Sequence, residues 1–408
     1  MSRHPSHPPH PVVLVIDNLE YGGAQRQVVE LSNHIDPSRF DVHICSLSSY
    51  VPLADRMVDR ERRLHVITKK WKYDVTVIPR LATLLNRLHA DIVHGYLFAA
   101  EIAARLAGRL ARTPLIFGSE RNTDYSLKRR QLITYRLTRG CMDLLVANSN
   151  AGAQFDCRLL GYLPSQCRVV HNGVDTQRFR PHDEQPLRRE LGIGDREQVV
   201  GMFASFKEQK NHPMLFRAAR CVLQRLPQTR LLLVGDELYG GMHGSDDYKR
   251  EMDRLVDEFD LRTQCLFLGN RHDVDRLYCV CDLTVLPSLF EGTPNVALES
   301  MACGVPVIAT QVSDNAQIIP DGRVGYVIPL GDEVALCERI CQLLEDNVRC
   351  RQMGREARAW VESEFSMARL VDKTTRVYQD ALDSLDVAMG DGDKKQDASI
   401  CPTKHHME

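Results

Sequence analysis

The chain of 408 residues is too long for one ordinary hydrophobic core, so two domains are expected. With 43% apolar and 26% charged residues its composition is ordinary for a soluble globular protein, and no uncharged apolar run reaches the ~20 residues of a membrane-spanning helix. Residues 1–180 hold 25 Lys and Arg against 16 Asp and Glu, a net +9, whereas the remainder holds 27 against 38, a net −11. A basic front half predicts either an anionic partner or a solvated surface that faces an acidic domain.

The thirteen cysteines include no Cys-x-x-Cys pair and no zinc-type spacing. Cys45, Cys221 and Cys303 lie in apolar contexts and are interpreted as small core residues. The odd count favours a reducing compartment, so a cytoplasmic location is expected. Residues 1–10 are rich in Pro and His, have no signal-peptide core and are expected to be a disordered tail.

The first strand is expected over 11–16, and the pair Gly22-Gly23 then opens a helix that carries Arg26. Strand, glycine-rich turn and helix is the arrangement in which a backbone approaches a phosphate. Gly22 and Gly23 are therefore candidate phosphate-binding residues, and Arg26 is a candidate partner for an anion. A pair of glycines alone more often serves only to reverse the chain.

Two later segments of the front half are basic and partly apolar. Lysines alternate with aromatic residues over 69–73, and a helix over 127–139 combines arginines with leucines and Ile133. Such segments are typical of a protein that docks on an anionic membrane surface. A solvated loop and a charged helix face over the core are the alternatives.

Polar side chains follow two predicted strands in this half. His94 comes after the strand from Asp91, and Glu120 and Arg121 come after the strand from Pro114. The carboxyl ends of parallel strands line the ligand crevice, so Glu120 and Arg121 are candidate cleft residues. His94 either faces the cleft or is packed at the strand end, and Glu120 and Arg121 either serve the site or pair with each other.

The most informative stretch is the segment from Glu291 to Glu299. Gly292 and Pro294 predict a bend, with Thr293 as the helix N-cap and Pro294 as the first helical residue. A helix start offers free N–H groups to a diphosphate. Glu291 and Glu299 then flank that phosphate, where they can bind sugar and ribose hydroxyls. Two solvated carboxylates on an exposed helix are the alternative.

The run from Asp282 to Gly331, with the Gly-Gly-Ala-Gln-Arg string at 22–26, resembles the family 4 retaining glycosyltransferases, which have the GT-B fold. The resemblance extends from about Pro11 to about Arg376. It implies two Rossmann-like doubly wound parallel-sheet domains facing across a cleft. The expected parts are an acceptor-side domain over 11–180, a nucleotide-sugar-binding domain over 181–365, a helix over 366–382 that returns to the first domain, and a disordered tail over 383–408.

The same resemblance implies how several residues act. Lys210 matches a family lysine that neutralises the donor diphosphate, while Ser205 stands where the family has an arginine, and Lys207 is a candidate replacement for that charge. Glu120 stands where many members have a histidine that contacts the sugar. The expected catalytic residues are Glu291, Lys210 and Glu120. The donor-binding set is expected to comprise Gly22, Gly23, Ser205, Lys207, Lys210, Asn270, Arg271, Glu291, Gly292, Thr293, Pro294, Asn295 and Glu299, with Arg26, His94 and Arg121 on the acceptor side.

The predicted activity is transfer of a sugar from a nucleotide-diphosphate sugar, with UDP favoured, to the hydroxyl of a sugar, lipid-linked or glycan acceptor with retention. No metal is expected, because no Asp-x-Asp or His cluster stands at a plausible site, and the nucleotide-diphosphate sugar is a co-substrate rather than a cofactor. No nucleic-acid partner is expected. A GT-B-like sugar-nucleotide epimerase and a non-catalytic sugar-nucleotide-binding protein are the alternatives. A dinucleotide oxidoreductase is disfavoured, because no Gly-x-Gly-x-x-Gly follows the first strand.

Overall fold

The computed structural model describes residues 8–71, 73–121, 127–237 and 245–397. Most of the predicted tail over 1–10, the end of the tail predicted over 383–408, and Lys72 of the basic segment lie outside the described residues. Two parallel sheets dominate the described part, which confirms the prediction of two α/β domains.

The first domain has a seven-stranded sheet in the order β3-β2-β1-β4-β5-β6-β7, in which neighbouring strands pair in parallel. The inner strand β1 is buried on both faces, since Val12 to Ile16 are all fully buried, and helices cover the two sides. The strands are β1 His10–Ile16, β2 Phe40–Ser46, β3 Leu64–Val66, β4 Ile92–Tyr96, β5 Leu115–Glu120, β6 Leu144–Ala147 and β7 Cys167–Val169. The helices are α1 Gly23–His34, α2 Arg60–Arg63, α3 Val77–Arg87, α4 Phe98–Ala111, α5 Arg129–Thr138 and α6 Asn150–Leu160.

The second domain has a six-stranded parallel sheet in the order β10-β9-β8-β11-β12-β13. The predicted linker over 179–189 contains the start of a short helix, and the domain boundaries themselves stay a prediction. The strands are β8 Gln198–Phe203, β9 Thr229–Val234, β10 Cys265–Gly269, β11 Leu283–Leu286, β12 Val307–Thr310 and β13 Gly325–Ile328. The helices are α7 Gln185–Glu190, α8 His212–Arg225, α9 Ser245–Glu258, α10 Val274–Val280, α11 Asn295–Ala302, α12 Asn315–Ile318, α13 Glu333–Glu345 and α14 Asn347–Glu364.

A last helix, α15 Met367–Asp397, runs back over the first domain. Its residues Leu370, Tyr378 and Leu382 join the core that contains β1 and α1. The helix does not end at residue 382, so the prediction of a disordered tail from residue 383 is wrong as far as Asp397. Leu385 continues the apolar face, and the stretch holds no proline, so its glycines weaken the helix without ending it.

The cysteines mostly follow the prediction of core packing, since Cys45 and Cys303 are buried and free. Cys221 differs, because it is joined to Cys337 in a disulfide between α8 and α13, two helices whose buried faces meet. Over the described ranges, no helix combines the length and the apolar character needed to cross a bilayer.

Replacing Tyr378 with Phe tests how α15 is held on the first domain. The Tyr378 hydroxyl lies 2.8 Å from Nδ1 of His94 in a fully buried environment. Its loss should lower the free energy of unfolding by about 1–2 kcal/mol, because a buried polar atom loses its nearest partner. The melting temperature should fall by a few degrees, whereas Tyr21→Phe, at an exposed tyrosine, should leave it unchanged. Equal melting temperatures for the two variants would contradict this account of the helix.

Candidate functional site

Two loops of the second domain meet at the carboxyl ends of neighbouring strands β8 and β11. The loop after β8 contains a short 3-10 turn, Glu208–Lys210, and then Asn211 in the left-handed region at φ 52° before α8 begins. Two side chains of this loop bind backbone oxygens of the facing loop. Gln209 Nε2 donates to the Phe290 carbonyl at 2.7 Å, and Asn211 Nδ2 donates to the Pro287 carbonyl at 3.1 Å. These two side-chain hydrogen bonds therefore hold the loop after β8 against the loop after β11.

This fastening brings Lys210 to Glu291. The lysine Nζ donates to the Glu291 carboxylate, and the Ser288 hydroxyl donates to the same oxygen at 2.7 Å. The two ionic side chains are only 14% and 8% exposed. A partly dehydrated pair of this kind is held more firmly than a surface pair. Two of the predicted catalytic residues thus lie in direct contact.

The turn after Glu291 leads into α11. Pro294 occupies the N-cap position, and no side chain caps the helix, so the prediction of Thr293 as N-cap is wrong. Thr293 instead donates its hydroxyl to the Asn148 carbonyl of the first domain, because domain packing supplies an acceptor that outcompetes the local cap. In the part of the chain that the structure describes, the backbone N–H groups of Gly292 and Thr293 have no acceptor. They lie beside Lys210 and Glu291 at the positive end of the helix.

The turn approaches the first domain very closely. An added Cβ at Gly292 would lie 2.4 Å from Asn148 Oδ1 and 2.6 Å from the Arg121 carbonyl oxygen. Asn172 supports the same contact, since its Nδ2 donates to Asn295 Oδ1 at 2.7 Å and to the Thr293 carbonyl at 3.2 Å. Only glycine permits this separation between the domains.

Glu299, on the buried face of α11, has a partner on each carboxylate oxygen. Arg26 of the first domain donates to Oε1, and the Tyr278 hydroxyl donates to Oε2 at 3.0 Å. The Glu299 charge raises the pKa of Arg26, and burial raises the pKa of Tyr278 well above its usual value. Tyr278 is stacked on Phe203 with ring centroids 3.8 Å apart, so its hydroxyl is held in place.

Gly22 and Gly23 lie at the start of α1, where Gly22 is the N-cap residue. The Gly23 carbonyl accepts a hydrogen bond of 3.4 Å from Asn295 Nδ2, so the first glycine-rich turn faces the tip of α11. The predicted donor-side glycines and the predicted Arg26 are therefore brought to the same interface as Glu299. Ser205 and Lys207 lie in the loop after β8, five and three residues before Lys210 respectively, and both are partly buried.

The acceptor-side candidates lie at the ends of β4 and β5. Arg121 Nη2 donates to Asn172 Oδ1 at 2.5 Å, and burial lowers the pKa of Arg121. Glu120 ends β5 half-buried, and its carbonyl accepts from the Asn148 amide at 2.9 Å. Of the two alternatives for His94 the structure has the packed one, because the ring is 1% exposed and hydrogen-bonded to Tyr378 of α15. His94 is therefore not an open cleft residue.

Asn270 and Arg271 are not brought into this cluster. They follow β10, the edge strand of the second sheet, two strands away from β8. Asn270 is exposed, and Arg271 is paired with Asp273 through two hydrogen bonds of 2.8 and 2.7 Å. Any contact they make with a nucleotide lies at the rim of the site.

Some residues of the interface were missed as site residues. Asn148 and Asn172 follow strands of the first domain, and Tyr278 is a buried hydroxyl in an apolar helix, which signals a nearby polar partner. Asp314 of the second domain accepts from the amides of Asn150 and Ala151 at 2.6 and 3.1 Å. Its carboxylate thus sits on the N-terminus of α6 and ties the domains together.

Comparison with known proteins now identifies the family. The model described as "Glycosyl transferases group 1" matches residues 183–360, and that described as "Glycosyltransferase Family 4" matches residues 21–178. This chain belongs to the family 4 glycosyltransferases. The family assignment predicted from the sequence is confirmed, and the enzyme is a glycosyl-group transferase.

Similar proteins span nearly the same length. The chain is 26% identical to the UDP-Gal:alpha-D-GlcNAc-diphosphoundecaprenol alpha-1,3-galactosyltransferase of Escherichia coli, with 88% of this chain and 94% of that protein covered. It is 26% identical to the N-acetyl-alpha-D-glucosaminyl L-malate synthase of Bacillus anthracis, covering 76% and 80%. The crystal structure of Anabaena HepE in complex with UDP superposes with a TM-score of 0.79 at 20% identity, covering 90% and 99%. This likeness confirms the GT-B fold.

The buried state of His94 predicts a loss of stability in acid. Burial, with a smaller contribution from Arg121, lowers the pKa of His94 to about 3, whereas an unfolded histidine has a pKa of ~6.5. Below pH ~6.5 this histidine binds a proton in the unfolded chain but stays neutral in the folded chain. The folded state therefore loses stability relative to the unfolded state as the pH falls from ~6.5 towards 3.

Urea unfolding of His94→Asn at pH 7, 6, 5 and 4 measures that contribution. The variant should show a pH dependence that is shallower by up to about 1.4 kcal/mol per pH unit, the value for one proton. The half-exposed His34 supplies the control, because His34→Asn should retain the wild-type slope. A His94→Asn slope equal to that of the wild type would show that this histidine titrates normally.

Proposed function

We propose that this glycosyltransferase moves a sugar from a nucleotide-diphosphate sugar, with UDP as the nucleotide, to an acceptor hydroxyl with retention of configuration. One observation carries the proposal. Lys210, the N–H groups of Gly292 and Thr293, which have no acceptor among the described residues, and the carboxylates of Glu291 and Glu299 converge on one interdomain interface. The name of the E. coli relative, which includes UDP-Gal, supports UDP as the nucleotide.

The proposed roles follow from charge. The diphosphate lies against the tip of α11, where Lys210 and the N–H groups of the turn stabilise the negative charge that grows as the sugar departs. Because Lys210 is already paired with Glu291, that pair alone contributes no net charge. Lys207, three residues before Lys210, supplies the additional positive charge in place of the arginine that Ser205 replaces.

The two carboxylates bind hydroxyl groups on either side of the diphosphate. Glu291, fixed by Lys210 and Ser288, accepts from hydroxyls of the transferred sugar. Glu299 accepts from the ribose. Glu291 lies in the loop before α11 and Glu299 in its second turn, so the two carboxylates are assigned to opposite ends of the donor.

Retention is proposed with the acceptor hydroxyl and the donor phosphate on the same face of the sugar. The bond from the anomeric carbon to the phosphate oxygen breaks, the acceptor oxygen bonds to that carbon, and the acceptor proton passes to the departing phosphate. Glu120 and Arg121, at the end of β5, line the acceptor side. The proposed pathway class is glycan, polysaccharide or glycolipid synthesis, since the E. coli relative's name includes a lipid-linked diphosphate.

We propose further that transfer needs no metal ion, because Lys210, Lys207 and the tip of α11 supply positive charge where a metal otherwise would. Among the described residues, no group of three or more His, Cys, Asp or Glu side chains is placed to hold a metal. Activity that survives exhaustive EDTA treatment would support the proposal, and activity restored only by a divalent cation would overturn it.

A membrane surface is the proposed docking partner of the first domain. Arg130 donates to the Tyr73 hydroxyl at 2.6 Å, so α5 and the described residues of the basic segment, 69–71 and 73, contribute to one surface. Exposed apolar side chains stand on it, with Trp71 54%, Tyr73 62% and Leu137 80% exposed. Apolar side chains between cationic ones suit the boundary of an anionic bilayer, with the enzyme on its cytoplasmic face.

Replacing Glu299 with Gln or Ala tests donor binding directly. Both variants should weaken UDP binding by about 100-fold or more, because each removes a charged acceptor from two ribose hydroxyls. Titration calorimetry with UDP, GDP and ADP measures the affinity and the nucleotide preference. The exposed Glu338 provides a matched control, since Glu338→Ala should bind UDP as the wild type does. Unchanged affinity in folded Glu299 variants would count decisively against this site.

Vesicle sedimentation tests the docking surface. The double variant Lys128→Gln/Arg129→Gln should bind vesicles of phosphatidylcholine with 30% phosphatidylglycerol about 30-fold more weakly, as each cation near such a surface contributes about 1 kcal/mol. Arg351→Gln/Arg355→Gln removes the same charge from exposed positions of the second domain and should have no effect. Equal loss in both variants, or no binding by the wild type, would refute the docking surface.

A further inference from the structure

Arg26 is hydrogen-bonded to Glu299, the carboxylate that is proposed to bind the ribose of the donor. Its guanidinium donates to Oε1 of Glu299, a residue 273 positions away in the other domain. The glutamate side chain is only 6% exposed, and the arginine side chain is 29% exposed. A ribose hydroxyl that binds Oε1 must therefore displace Arg26 or share the oxygen with it.

The two partners of Glu299 differ in how freely they can leave. Tyr278 belongs to the same domain as Glu299, is 1% exposed and is stacked on Phe203. Arg26 reaches across from the first turn of α1 on a flexible side chain. Tyr278 is thus a fixed support that orients the carboxylate, and Arg26 is the partner that can move.

Arg26 has a second carboxylate within reach. Glu30 stands four residues further along α1, on the same face of the helix, and its side chain is 20% exposed. The negative charge of Glu30 already contributes to the raised pKa of Arg26, behind the larger contribution of Glu299. Burial lowers the pKa of Arg56, with smaller contributions from the positive charges of Arg178 and Arg26, so a second cation lies near Arg26. The neighbouring charges therefore favour a position of the Arg26 guanidinium beside a carboxylate, and both Glu299 and Glu30 provide one.

We propose that Arg26 gates the donor site, resting on Glu299 in the free enzyme and moving to Glu30 when the ribose takes Glu299. The inference rests on the proposed function of Glu299. Arg26 is then a positioning residue that competes with the donor, rather than a ligand of the donor. Competition of this kind lowers the apparent donor affinity by the fraction of molecules in which the gate is closed.

The direction in which the UDP affinity changes in Arg26→Gln distinguishes a gate from a ligand of the donor. Arg26→Gln should tighten UDP binding by about five- to tenfold, because the ribose no longer competes with a charged partner. Arg26→Lys should retain near wild-type affinity, because the ammonium can still pair with Glu299. Glu30→Gln should weaken UDP binding by about two- to threefold, since it removes the second position of Arg26. In the Arg26→Gln background, Glu30→Gln should have no effect.

Titration calorimetry with UDP on the full chain measures each variant, and Arg87→Gln, at an exposed arginine of the first domain, is the control. The KM for the donor in a donor-hydrolysis assay should fall with the dissociation constant in Arg26→Gln, with little change in kcat. Weaker or unchanged UDP binding by Arg26→Gln would overturn the gate. Failure of the proposed function itself has a different signature, in which Glu299→Gln binds UDP as well as the wild type does.

Discussion

The contact between Lys210 and Glu291 determines the shape of the second domain's ligand surface. Each residue follows a different strand of one parallel sheet, and the hydrogen bonds of Gln209 and Asn211 to the facing loop hold the two loops together. Because the pair is largely removed from water, neither side chain can leave without stranding the other charge. The position of the helix tip at Gly292 and Thr293 depends on this junction.

The local parts of the site could be predicted from the sequence, because a strand, a bend and a helix start are encoded by neighbouring residues. Glu291 and Glu299 were found in this way, as was the alternation that gives two parallel sheets, whereas Lys210 was assigned through the family resemblance. The partners across the interface could not be, since nothing near Arg26 indicates that it meets Glu299. Thr293 shows the same limit, as a good local N-cap residue whose hydroxyl is used by the other domain.

The remaining differences between the predicted and the observed structure depend on elements that are distant in the sequence. His94 could have faced the cleft or the core, and the choice was made by Tyr378, 284 residues later, whose helix covers it. The end of that helix was misplaced because the polar composition after residue 382 hides a continuing apolar face. Asn270 and Arg271 were assigned through resemblance alone, and the sheet order places them at an edge rather than at the centre.

The missing side chain of Gly292 sets the distance between the domains. Backbone and amide atoms of the first domain occupy the space that even a methyl group would need. The two domains therefore approach so closely at Gly292 that an added Cβ would overlap the Arg121 carbonyl oxygen and the Asn148 side chain. Close contact excludes water from the groups next to it, and a charge such as that of Lys210 acts more strongly where water is excluded.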